Sequence, residues 1–172
     1  MTNNYNEQSG SIPIKSIRWD SSWPGLVEAA DRHALFSYLE NRFGIPETLF
    51  DEYLLFKRKK SWWLLRHSSF VEQASQFKIS IAGLRAFGKI NRFVKPSTRM
   101  IQIFGHHATS ATLDLNRSEF EGLETGEHFL VDLEIENGYV IISHEGHPLG
   151  LGLLINGSVR PQIPQKELRF FR

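Results

Sequence analysis

Six cations, Lys78, Arg85, Lys89, Arg92, Lys95 and Arg99, occupy a stretch from Gln73 to Leu113 that contains no Asp or Glu. Cations without counter-charges read either as a solvated face or as ligands for phosphate. As a ligand, each one neutralises a phosphate and releases the counterion condensed on it, and Arg can also fork to, or stack on, an exposed base. Phe87 and Phe93 are interleaved with these cations and have two readings, as core residues or as platforms for stacked bases. A second cluster, Lys57, Arg58, Lys59 and Lys60, reads either as a solvated patch or as a second polyanion contact. Lys166, Arg169 and Arg172 make the C-terminal tail basic again.

The opposite charge is gathered elsewhere. From Ser118 to Val159 there is no Lys or Arg, but there are Glu119, Glu121, Glu124, Glu127, Asp132, Glu134, Glu136 and Glu145. The net charge is only +1. Segregation of the two signs therefore carries the information: one face can hold a polyanion while the molecule as a whole is near neutral. The acidic block also has two readings, as an exposed face that orients the protein by repelling RNA or as a dock for a basic protein.

Other chemistries find less support. The chain has no Cys, which excludes disulfides, cysteine zinc sites and a thiol nucleophile. His106, His107, His144 and His147 have no Cys or carboxylate at a diagnostic ligand spacing, so no metal or cofactor is expected. Ser143 and His144 are adjacent, without a nucleophile-elbow signature, so no catalytic residue and no enzymatic activity are expected. No apolar run approaches the roughly 18–20 residues that span a bilayer. The opening "MTNNYNEQSGS" is polar and lacks the basic and apolar regions of a signal peptide, so residues 1–11 are expected to be a frayed tail on a soluble cytoplasmic protein.

The positioning elements follow from periodicity. "SSWPGLVEAADRHALFSYLENRFGIP" predicts a helix with Pro24 in its first turn, Leu35, Tyr38, Leu39 and Phe43 on one face, and Gly44 as its stop. "PETLFDEYLLFKRKK" predicts a second helix that carries the four cations at its C-terminal end. "SWWLLRH" predicts a strand, and "SFVEQAS" a helical turn. Beyond it, "FKISIAG", "KINRFVKP", residues 111–116, "GYVIISHEG" and "GLGLLING" predict strands, with a short helix over "PSTRMIQIFG" and a tight turn at Asn156-Gly157. Gly138, Gly146, Gly150, Gly152 and Gly157 read as architectural, for turns and close strand approach in a small barrel. Gly83 or Gly88 could admit an RNA backbone. The composition changes near residue 76, from a helical α/β portion to a β-rich one.

Five pieces in order then resemble a known family. Gly83 to Gly88, Arg92-Phe93 with Pro96, Gly138-Tyr139-Val140, Gly146 with Leu149-Gly150 and Gly152, and Arg160 to Pro164 resemble the PUA-like RNA-binding module appended to Nop/Sun-type RNA cytosine-5 methyltransferases. The resemblance covers residues 77–172. "RPQ" stands where that module usually carries a Lys-Asn pair. Neither a Gly-rich nucleotide-binding loop nor a Cys for attack on a pyrimidine is present, so the catalytic half of such enzymes is missing. "RFGIPETLFDEYLLFKRKKSWWLL" is similar to the pre-PUA element of ribosome-biogenesis factors. The resemblance implies an α+β protein, with a pre-PUA-like element over 1–76 and a PUA-like pseudo-barrel over 77–172. Its function would be non-catalytic recognition of structured rRNA or tRNA in RNA modification or ribosome biogenesis. Lys78, Arg85, Lys89, Arg92, Lys95, Arg99, Lys166 and Arg169 would be the RNA contacts. The alternative function is an adaptor that binds a separate RNA-modifying enzyme.

Overall fold

The first helix, α1 (Ala29–Phe43), turns Leu35, Phe36, Leu39 and Phe43 inward on one face. It stops at Gly44, whose φ of 68° lets its N–H reach back to the Glu40 carbonyl. A Cβ on Gly44 would collide with the Thr109 hydroxyl. The helix begins later than Pro24 predicts, because Gly25–Leu26 is drawn off as a short strand, β1, paired with Lys57 and Phe56. The computed structural model describes residues 18–79, 81, 83–126 and 128–168.

The helix expected over residues 46–60 is replaced by a 3₁₀ turn (Glu47–Phe50) and a strand, β2 (Tyr53–Arg58). The cause is burial on two sides. Leu55 faces the main core, while Leu54 and Phe56 face a second cluster with Val71, beneath Trp19 and Trp23. Consecutive apolar residues covered from both sides suit a strand with two buried faces, not a helix with one stripe. β2 turns directly into β3 (Ser61–Arg66) through Lys59 and Lys60, with Lys59 at φ 53°. A short helix, α2 (Val71–Ala74), follows.

"FKISIAG" does not contain the next strand among its described residues. That strand, β4, runs over Leu84–Ile90. "KINRFVKP" is not one strand but the end of β4, a turn at Asn91 (φ 53°) and Arg92, and β5 (Phe93–Pro96). Asn tolerates the left-handed region that such a turn requires. The first sheet has the order β1-β2-β3-β4-β5, and the predicted division near residue 76 falls between β3 and β4, which are hydrogen-bonded neighbours.

Helix α3 (Thr98–Phe104) is capped by the Ser97 hydroxyl and packs against both β4 and β9. Strand β6 (Thr112–Leu115) leads into α4 (Arg117–Thr125), where Asn116 and Glu119 form a reciprocal capping box. The rest is β7 (Phe129–Leu130), β8 (Gly138–His144), β9 (His147–Ile155), β10 (Ser158–Pro161) and a final turn of helix, α5 (Gln165–Leu168). The second sheet is ordered β6-β8-β9-β10-β7, with β6 parallel to β8 and the other pairs antiparallel. One apolar cluster joins α1, the inner face of the first sheet, α3 and the second sheet, so the fold is α+β.

Candidate nucleic-acid interface

The turn between β2 and β3 and the turn between β4 and β5 lie side by side. The Lys89 N–H donates to the Lys60 carbonyl at 2.8 Å, and Ser61 opposes Gly88 in register. Two cation clusters separated in sequence thus meet at one end of the first sheet. Lys57, Arg58, Lys59, Lys60, Lys89 and Arg92 are all exposed there. Among the described residues no carboxylate pairs with Lys59, Lys60, Lys89 or Arg92. Lys57 and Arg58 belong to the strand rather than to a helix end, and the Lys57 ammonium stands 5.5 Å from the ring centroid of Trp62, its cross-strand neighbour.

The two interleaved Phe residues part ways. Phe87 is fully buried, as a core residue. Phe93 is 59% exposed, with the Arg92 guanidinium 5.1 Å from its ring centroid and exposed Ile90 directly opposite. A flat apolar surface flanked by cations can take a stacked base while the cations take phosphate.

Register fixes which side chains share a face. Arg58, Ser61, Gly88 and Lys95 form one cross-strand row, and Phe93, two residues from Lys95, projects from the same side. Between β4–β5 and residues 162–164 lies an open groove of about 260 Å³, lined on the hairpin side by Arg85, Gly88, Ile90 and Lys95. Lys95 is half-buried, with its ammonium 5.5 Å from the ring centroid of Tyr139, and burial holds its pKa below the ordinary lysine value.

The remaining predicted cations are placed differently. Arg99 forms an ion pair with Glu167 at 3.1 Å and donates to the Gln102 side chain at 2.9 Å, tying α3 to α5. Lys166 is exposed on α5. Lys78 follows α2, and its charge lowers the pKa of Asp20, although the chief cause there is hydrogen bonding from Ser22. Arg169 lies outside the described residues, as do residues 1–17. Tyr139, Thr98 and Gln162, which complete the surroundings of Lys95 and its groove, give no signal in the sequence, because only the packing of the two sheets brings them to β5.

Of the histidines singled out by the sequence, His106, His107 and His147 are exposed, and only His144 is partly buried. His144 shares a 2.8 Å hydrogen bond with the Leu115 carbonyl through Nδ1 and stacks on Phe120, with ring centroids 4.5 Å apart. No group of three or more metal-ligating side chains occurs among the described residues. Ser37, His33 and Glu47 cluster at the surface: the Glu47 carboxylate lies 2.8 Å from His33 Nδ1, and the Ser37 hydroxyl lies 3.2 Å from Nδ1 and 3.4 Å from Nε2 and donates to the Glu47 carboxylate at 3.2 Å. Among the described residues no helix is long and apolar enough to cross a membrane. The chain matches no protein-family model, and no curated protein is similar to it.

Proposed function

We propose that this chain is a non-catalytic RNA-binding protein of the PUA-like kind, acting in the cytoplasm on structured rRNA or tRNA during RNA modification or ribosome assembly. The observation that carries this reading is the meeting of Lys59 and Lys60 with Lys89 and Arg92 on adjoining turns, beside the exposed ring of Phe93. Cations gathered without paired acids repel one another, and a polyanion relieves that repulsion while releasing its counterions. The order of the five PUA-like segments through residues 77–172 supports the same assignment. Phosphate contacts would set affinity and orientation, and RNA shape would set selectivity.

A salt titration tests this. Each phosphate contact contributes about −0.7 to −0.9 to the slope of log affinity against log salt. Replacing Lys59, Lys60, Lys89 and Arg92 together by Gln should weaken binding to a structured RNA and flatten that slope by about 3. An unchanged slope would remove the case for this surface. The second reading, an adaptor for a separate RNA-modifying enzyme, draws on the exposed acids Glu121, Asp132, Glu134 and Glu136 and on the exposed Phe70, Phe77 and Ile81. It predicts co-purification with a protein, and no RNA affinity that falls with salt or with those four substitutions.

A further inference from the structure

Gly88 floors the groove beside Lys95. It faces Lys95 across β4–β5, and a Cβ built on it would lie 2.8 Å from Arg85 Nη2, so the guanidinium lies close over a bare Cα. Thr98 and Gln162 add polar groups to the lining, and among the described residues no carboxylate lines the groove. The ammonium of Lys95 is therefore held partly out of water without an anionic partner in the groove, a position that an arriving anion would stabilise. Ile90 and Phe93 form the next same-face pair along the hairpin, about 7 Å away at two residues per strand repeat. A recessed cation and an exposed ring at that separation match the phosphate and the base of one nucleotide. The base must be unpaired to lie flat on the ring.

We propose that the Arg85–Gly88–Lys95 groove holds a single phosphate of an unpaired nucleotide whose base stacks on Phe93, so that the protein selects looped or single-stranded RNA over duplex. The inference rests on the RNA-binding reading above and adds to it a discriminating subsite. Gly88 does not have a positive φ, so Gly88→Val suits the strand, keeps every charge and fills the groove floor.

The test compares wild type with Gly88→Val for binding to oligouridylate and to an RNA duplex of equal length, at one salt concentration. The expected result is a loss of about tenfold on oligouridylate with little change on the duplex. Lys95→Met should reproduce the loss on oligouridylate, which covers the case in which Gly88→Val does not fold. Inorganic phosphate should shift the backbone amide resonances of Lys95 and Ser97 in wild type and leave them in place in Lys95→Met. Wild-type affinity for oligouridylate in both variants, with no phosphate-induced shift, overturns the subsite while leaving RNA binding intact. Phosphate-induced shifts with no binding to any RNA support an anion subsite and overturn the RNA reading.

Discussion

At the scale of the residue, burial decides which polar groups are fixed and which are available. Arg42 donates through Nε to the Tyr139 carbonyl at 2.7 Å and through Nη1 to the Glu136 carbonyl at 3.0 Å, which pins the end of α1 to the start of β8. A cation used in this way is lost to ligand binding. Lys89 and Arg92 have no such partner among the described residues, and no count of charges along the sequence separates the two cases. Beside Arg42, burial pushes the Tyr38 hydroxyl up to about 12, against an opposing pull from the Arg42 charge. The native state then keeps the Tyr38 proton after the unfolded chain, titrating near 10, has released it. Its contribution to stability is complete below pH 10 and is lost as pH rises toward 12. Urea unfolding should therefore show Tyr38→Phe losing less stability than wild type between pH 10 and 12. Parallel curves through that window would place the ring in solvent.

At the scale of the element, what the sequence makes legible depends on whether a signal is local. Residues 61–66, 98–104 and 112–115 form the predicted elements because alternation, the Ser97 cap and the flanking turns are all local features. Asn116 and Glu119 likewise spell a capping box for α4 within four residues, a signal present in the sequence that the acidic character of the block obscured. Tyr53 to Arg58 defeats periodicity, since its strand identity comes from Trp19, Trp23 and Val71 covering the far face. The candidate site was legible as a set of cations but not as a place: only the hairpin register puts Lys60 beside Lys89. Among the glycines, Gly152 shows what close strand approach demands. A Cβ there would lie 2.5 Å from Val159 Cγ1 and 2.9 Å from Ile142 Cδ1, both in the core. Gly152→Ala should destabilise the protein by about 1–3 kcal/mol through overpacking, read as a lower chemical-denaturation midpoint at unchanged m-value. A neutral outcome would mean that β9 and β10 can move apart without cost.

At the scale of the whole molecule, the two sheets depend on one another. Phe36, Leu39 and Phe43 of α1 share a single core with Val140, Ile142 and Leu151 of the second sheet, and α3 packs against a strand of each sheet. Residues 77–172 taken alone would keep β4 but lose β3, exposing a row of backbone donors and acceptors along Leu84–Ile90. They would also lose α1, whose Phe36, Leu39 and Phe43 belong to the same core as the second sheet. A change of composition near residue 76 is visible in the sequence, but nothing local reveals that a sheet crosses it, because strand pairing between residues 61–66 and 84–90 is a long-range property. The same dependence bears on binding, since Lys59 and Lys60 come from one side of residue 76 and Lys89 and Arg92 from the other. Expressed alone, residues 77–172 should show no sharp thermal transition and markedly weaker RNA affinity than the full chain, and adding residues 1–76 in trans should restore both. A cooperative transition of the isolated fragment, with full-length affinity, would show that the first two β-strand hairpin partners contribute neither core nor cations to the interface.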